Sequence, residues 1–293
     1  MLEPPVSVEE FLAAREPELP ENTRGVRAKP RASGIADCSR KQWYYMRDVN
    51  PTNEGNPDAG LTQEQGRMME DVSIARLART GKVLVLGRQV GTPPNYVVSG
   101  HPDGAHLSLT TNDGLQWGFE HKHYGRYEYE RMLKLGLEQG NPEALSQILM
   151  YGDALGWDAC FLVVVSQDAS AVRGDMTINK RSKEESNVWV TGDMNPKVAF
   201  YTVDIREYKN SLIPMLKMRA EWLTKHRDDA TPPRPEFRPY PVKGKNKQRD
   251  DKNGKIDFPC SYCPYRDRCV VDGPTGLEAP RLPFIKEIEE FEW

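Results

Sequence analysis

Apolar residues follow two rhythms along this chain. The run DACFLVVVS, Asp158–Ser166, is almost continuously apolar, which predicts a strand covered on both faces. AFYTVDI, residues 199–205, predicts another strand. Three more are expected at Lys82–Val90, Tyr96–Leu109 and Gln116–Tyr124, with turn signals at Thr92-Pro-Pro-Asn and Asn112-Asp-Gly that suit a meander. The helical rhythm predicts a short helix near Val8–Arg15, one from Ser33 to Arg47 with Ser33 as its N-cap, and one over Thr62–Thr80 stopped by Gly81. A further helix starts at Asn141-Pro142, a favoured cap and first-turn pair, and ends near Leu155 before Gly156. Arg206–His226 reads as an amphipathic helix. Asp48–Gly60 reads as a loop, 167–196 as an insertion or hairpin, and 228–258 as an extended arm, proline-rich and then basic. The order helix, three strands, helix, strand describes an α/β core with added N- and C-terminal segments.

At 293 residues, 38% hydrophobic and 28% charged, the chain has room for one large domain, or a core with an accessory lobe, and can bury a sizeable core. No apolar run approaches the length of a membrane span, and the N-terminus MLEPPVSVEEFLAAREPELP is acidic and proline-bearing, unlike a signal peptide. A cytoplasmic protein with no membrane partner is expected. The net charge of −3 hides basic clusters at Arg24, Arg27, Lys29 and Arg31, at Arg40 and Lys41, and at Lys243, Lys245, Lys247 and Arg249. Each is either a solvated face or a track for phosphates. The five cysteines are an odd number in a chain without an export signal, which argues against a disulfide framework. Cys260, Cys263 and Cys269 fall within ten residues, which points to metal chemistry.

Two stretches carry candidate catalytic chemistry. Gly100-His-Pro-Asp103-Gly104 puts a carboxylate at a strand bend, and Glu120-His121-Lys122 lies in the next strand. Strand residues two apart share a face, so Glu120 and Lys122 project together while His121 points away. If the strands are neighbours, Asp103 lies close to both. Phosphodiester hydrolysis uses such a set: carboxylates hold a hard divalent cation, the cation polarises the phosphate and acidifies a bound water, and a lysine orients or deprotonates that water. A bare E-x-K is more often a surface ion pair across a strand, so its company matters. Glu70 lies on the helix over Thr62–Thr80, and Gln147 and Tyr151, four apart, share one face of the helix that starts at Asn141-Pro142.

In this order the chain resembles the RecB-like branch of the PD-(D/E)XK nucleases. There a helix motif, a GxxD-type strand motif, an E-x-K strand motif and a Q-x-x-x-Y helix motif follow one another. Here they read Gly66-x-x-x-Glu70, Gly100-x-x-Asp103, Glu120-x-Lys122 and Gln147-x-x-x-Tyr151. The resemblance implies a restriction-endonuclease-like core, a mixed central sheet flanked by helices. It implies Mg2+ or Mn2+ held by Asp103, Glu120 and the main-chain carbonyl of His121, with water activation by Lys122. Many members carry histidine at the position of Glu70; a carboxylate there would bind metal through water or help hold a second ion.

Cys260-Ser-Tyr-Cys263-Pro-Tyr-Arg-Asp-Arg-Cys269 offers three thiolates to a site that needs four, whether zinc or iron–sulfur. Cys160 sits inside an apolar strand and reads as core. Cys38, in the basic and aromatic stretch Cys38-Ser-Arg-Lys-Gln-Trp-Tyr-Tyr, is the better fourth ligand. One cysteine ahead of the nuclease motifs and three behind resembles the iron–sulfur RecB-like nucleases, among them the CRISPR-associated exonucleases of the Cas four type and the nuclease domain of AddB. That resemblance, over roughly residues 33–270, implies a 4Fe–4S cluster that joins the two chain ends, with zinc as the alternative on thiolate chemistry alone. The expected division is an N-terminal helical segment, 1–60, with one cluster cysteine; a nuclease core, 61–227; and a basic arm with the remaining cysteines, 228–293.

The expected function is a metal-dependent DNA exonuclease acting on ends or single strands. The alternative is a DNA-binding partner in recombination or CRISPR adaptation that keeps the fold with weak or no catalysis. The Arg40/Lys41 helix, with Trp43, Tyr44 and Tyr45, would track phosphates and stack bases, although at least two of these aromatics are expected to pack around the cluster instead. The basic arm at 243–249 would contact the DNA backbone.

Overall fold

The structure is a computed structural model that describes residues 27–52, 59–88, 90–109, 114–166, 188–190, 198–237, 260 and 263–285. In chain order the elements are helix α1 (Ser39–Met46), helix α2 (Ala59–Arg79), strands β1 (Val83–Leu86), β2 (His106–Leu109) and β3 (Trp117–Tyr124), helices α3 (Arg126–Gly140) and α4 (Pro142–Leu155), strands β4 (Ala159–Ser166), β5 (Val188–Val190) and β6 (Val198–Asp204), and helices α5 (Leu212–Lys225) and α6 (Arg266–Asp272). The expected helix at Val8–Arg15, the turn at Asn112-Asp-Gly, most of the 167–196 insertion and the basic cluster Lys243–Arg249 lie outside the described residues.

The apolar run of β4 is the centre of a four-stranded sheet ordered β3-β4-β6-β5. β3 runs parallel to β4, with Glu120 opposite Leu162 and Lys122 opposite Val164, while β6 pairs antiparallel with both β4 and β5. The sheet is therefore mixed, and helices cover it. On one face Cys160, Leu162, Val164, Tyr201 and Val203 pack with Leu145, Ile148 and Leu149 of α4, Tyr129, Met132 and Leu133 of α3, and Leu216, Ala220 and Leu223 of α5. On the other, Phe119, Val163 and Val165 meet Val85 and Leu107 of the small β1–β2 sheet and Met69, Ile74 and Leu77 of α2. Burial on both faces is what the unbroken apolar run of β4 requires. None of the helices searched among the described residues is long and apolar enough to cross a membrane.

Local chemistry sets the element ends. Asn141 Oδ1 accepts the Ala144 N–H at 2.9 Å to cap α4, and Gly156 closes it at φ 74°. Several expectations need correction. The first helix does not begin at Ser33: residues 32–37 form tight turns, and α1 starts at Ser39, whose N–H is capped by Glu236 Oε2 at 2.6 Å from far along the chain. Of Tyr96–Leu109 only the last four residues form a strand, because Gly100, Pro102 and Gly104 break the extended pattern around Asp103. The three strands do not form a meander: β1 and β2 pair with each other, and β3 joins β4. Helix α3 was not expected, although Tyr129, Met132, Leu133 and Leu137 have helical spacing and are buried; Gly136, at φ 72°, kinks it.

Candidate active site and cysteine cavity

Strand β3 lies at the edge of the large sheet, and that edge is held by the loop before β2. Gly104 exchanges both main-chain hydrogen bonds with Phe119, at 3.2 and 3.0 Å. Two residues on, where the next outward N–H must lie, His121 donates to Asp103 Oδ2 at 2.7 Å. The N–H and C=O of a strand residue point to the same edge, so the His121 carbonyl faces the Asp103 side as well. Both glycines of the Gly100…Gly104 motif are steric requirements. A Cβ on Gly104 would lie 2.4 Å from Val85 Cγ1, and one on Gly100 would lie 2.6 Å from the Tyr151 hydroxyl.

Glu120 and Lys122 share the inner face, as their spacing predicts. Lys122 Nζ donates to Glu120 Oε1 at 2.7 Å, and Gln147 Nε2, on α4, donates to the same oxygen at 2.9 Å. Gln147 also lies 3.4 Å from the Tyr151 hydroxyl. Glu120 is only 1% exposed, and its second oxygen, Oε2, is buried with no hydrogen-bond partner among the described residues. An orphaned carboxylate oxygen in such a place is costly unless something else satisfies it. Burial pushes Glu120 up to about 7 against the pull of Lys122. Burial likewise raises Asp103, opposed by Lys122 and the His121 amide. Glu120 in turn holds Lys122 above the usual lysine range, despite burial. His121 points the other way, and burial depresses its imidazole to about 4.

Glu70 stands apart from this pair, in a cavity that Asp103, Arg67, Arg88 and His101 also line. Burial and then the Asp103 charge raise its carboxyl. Arg88, which sequence reasoning missed, bridges Glu70 at 2.9 Å and Asp71 at 2.8 Å. Its only sequence signal was a cation just after the first strand. As the side chains stand, no group of three or more His, Cys, Asp or Glu among the described residues is arranged to hold an ion.

Cys38, Cys260, Cys263 and Cys269 line a second cavity, together with Arg40, Lys41 and Tyr44. Cys38 is the N-cap residue of α1, and Cys269 lies inside α6. Burial raises the thiol of Cys38 to about 12 and holds those of Cys263 and Cys269 above their usual range. Cys160 takes no part; it is fully buried on β4, near Glu120. None of the five is in a disulfide. Four thiols line one cavity with cations among its walls; by donor type the set matches a tetrahedral metal or an iron–sulfur cluster, although as the side chains stand the sulfurs are not gathered around a single point.

No family model matches this chain, and no curated protein matches it. A solved structure described as the crystal structure of SSO0001 aligns over 90% of this chain and 92% of its own, at 12% identity and a TM-score of 0.41. A likeness at that level carries no argument.

Two of the three aromatics of α1 are buried. Trp43 and Tyr44 are buried with Tyr265 and Cys269, while half-buried Tyr45 lies under the guanidinium groups of Arg27 and Arg31 at 4.6 and 4.8 Å. Arg40 cannot track phosphates, because it is fully buried, and Lys41 is paired with Asp37 at 2.8 Å.

Proposed function

We propose that this chain is a metal-dependent deoxyribonuclease with a RecB-like PD-(D/E)XK core. Its four clustered cysteines would carry a 4Fe–4S cluster, and its substrate would be DNA ends or single strands. The observation that carries the reading is convergence: residues far apart in sequence, Asp103, Glu120, Lys122, Gln147 and Tyr151, meet at one sheet edge, and Glu120 presents a buried oxygen with no hydrogen-bond partner among the described residues.

Asp103, Glu120 and the His121 carbonyl would hold Mg2+ or Mn2+, with Glu70 reaching the ion through water. The metal would polarise the scissile phosphate and acidify a water. The chain's own side chains do the rest. Lys122, held protonated by Glu120, donates hydrogen bonds and positive charge to phosphate oxygens that gain negative charge in the transition state. Gln147 fixes the Glu120 carboxylate, and Tyr151 fixes Gln147, so the ligand oxygen is oriented before substrate arrives.

End-labelled single- and double-stranded DNA, incubated with Mg2+ or Mn2+ and sampled over time, tests this reading. Cleavage should need the metal and vanish in Asp103→Asn, Glu120→Gln and Lys122→Met. These near-isosteric changes suit a site where Glu120 is buried rather than solvated. Cleavage retained by folded Glu120→Gln would refute the assignment. Tight DNA binding by a wild type that cleaves nothing would favour the alternative of a non-catalytic recombination or CRISPR-adaptation partner.

A further inference from the structure

Among the described residues two arginines, Arg40 and Arg219, are fully buried, and they are balanced differently. Arg219, on α5, forms a two-point pair with Glu236 at 2.5 and 2.7 Å and also donates to the carbonyls of Ile35, Asp37 and Pro280. That is how a charge is ordinarily kept inside a protein. Arg40 has no such partner: among the described residues its guanidinium meets no carboxylate. It donates instead to main-chain carbonyls: Pro233 at 2.5 Å, Gly273 at 2.5 Å, Thr275 at 2.7 Å and, more weakly, Cys269 at 3.4 Å. Its remaining contact is Nη1 to Cys269 Sγ at 3.7 Å. Carbonyl dipoles, some at the C-terminal end of α6, offset part of the cost of burial but carry no full charge. A whole buried cation needs a whole anion nearby.

We propose that Arg40 is the counter-ion and N–H···S donor of the metal site formed by Cys38, Cys260, Cys263 and Cys269, so that the charge of that site fastens α1 to the C-terminal arm. The inference rests on the cysteine reading above. Any divalent metal or 4Fe–4S cluster held by four thiolates presents an anionic sulfur shell, and Arg40 lies against it. Arg40 is a positioning residue: it acts on the site through the Cys269 sulfur and through the main chain on either side of it.

The test uses the full chain in two forms, metal-free and loaded, the loaded form being prepared with ferrous iron and sulfide and, in parallel, with Zn2+. Wild type, Arg40→Lys and Arg40→Gln are compared for rate of metal loss to a chelator and for melting temperature. Arg40→Gln is expected to lose metal about 10–100-fold faster, with Arg40→Lys in between, which is the range for residues that support metal ligands from behind. Its melting temperature should fall further in the loaded form than in the metal-free form, where loss of the carbonyl hydrogen bonds is offset by removal of an uncompensated charge. A merely structural arginine would cost the same in both forms, and that result overturns the proposal while leaving the cysteine site intact. Wild type that takes up neither iron nor zinc overturns both. Should Arg40→Gln fail to fold, exchange of the Arg40 side-chain protons in wild type decides the matter: slower exchange with Zn2+ bound supports the contact, and equal exchange refutes it.

Discussion

Gly118→Ala should destabilise this protein, although strand propensity alone says the opposite. A glycine inside a strand ordinarily costs about 0.5–1 kcal/mol relative to alanine. Gly118 lies on β3, two residues before Glu120, under the indole of Trp157. A Cβ built there would sit 2.1, 2.2 and 2.3 Å from three indole ring atoms, so the ring must retreat by more than 1 Å. It has no room to do so cheaply. Trp157 is 1% exposed, donates its indole N–H to Ala105 O at 2.7 Å, and meets Tyr151 edge-on at 6.4 Å. Overpacking of a filled core costs about 1–3 kcal/mol, and a strained buried hydrogen bond about 1 kcal/mol more. After the strand-propensity gain is subtracted, a net loss of about 1–3 kcal/mol corresponds to a melting temperature lower by roughly 2–5 °C for a chain of this size.

The damage should also reach the site. Ala105 ends the loop that carries Asp103, and Tyr151 steadies Gln147, so the shifted indole disturbs both carboxylates that would hold the metal. Thermal melts followed by circular dichroism measure the first effect, and DNA cleavage well below the melt measures the second. Gly118→Ala combined with Trp157→Phe should cost less than the sum of the single changes, because the smaller ring relieves the clash. A single variant that melts at or above the wild-type temperature would refute the steric argument.

Other outcomes follow from the same geometry. Anaerobically purified Cys38→Ser, Cys260→Ser, Cys263→Ser and Cys269→Ser should each lose iron and visible absorbance, while Cys160→Ser keeps both. The reverse pattern for Cys38 and Cys160 would place the fourth ligand wrongly, and a wild type with one zinc and no iron would remove the cluster. Gln147→Ala and Tyr151→Phe should slow cleavage by about 10–100-fold rather than abolish it, since both act on Glu120 from behind; complete loss in Tyr151→Phe would mean a direct role for the hydroxyl. His121, neutral in the fold with its imidazole depressed to about 4, gains no proton there as the pH falls below the unfolded value of 6.5. The unfolded chain does gain it, so stability is lost between these values, by up to about 3 kcal/mol. Glu120, raised to about 7, gains stability as the pH falls through the same window, so the His121 share is read as a difference: in urea melts of metal-free protein, His121→Asn should lose less stability than wild type between pH 6.5 and 4.

How much of this was legible in the sequence depended on whether the physics was local. The period of two in Glu120-His121-Lys122 put the acid and the base on one face, and the spacing of four did the same for Gln147 and Tyr151. Both hold in the structure because strand and helix geometry act within a few residues. The caps Asn141 and Gly156 were legible for the same reason. The start of α1 was not: its first N–H is satisfied by Glu236, nearly two hundred residues away, and nothing near Ser33 records that. The helix of residues 126–140 had a readable pattern, interrupted by a glycine at the kink.

Charge was the least legible property, because a basic residue looks the same in sequence whether solvent or a thiol surrounds it. Arg40 read as part of a phosphate track and is instead sealed against Cys269. Arg88 belongs to no motif in the sequence and bridges Glu70 and Asp71 beside Asp103. Both cations sit beside clustered acidic groups: carboxylates at one cavity, and at the other four thiols, which burial keeps protonated until a metal would displace their protons. The two cavities therefore share a logic. Each gathers groups that repel one another when ionised, and each has an arginine that makes the gathering tolerable. Arg88 is 44% exposed, so a ligand that neutralises Glu70 can release it to water. Arg40 is wholly enclosed, so its charge must stay compensated in place. On that difference, the proposed function would have the carboxylate cavity exchange its cation with solution and the cysteine cavity keep the metal it binds.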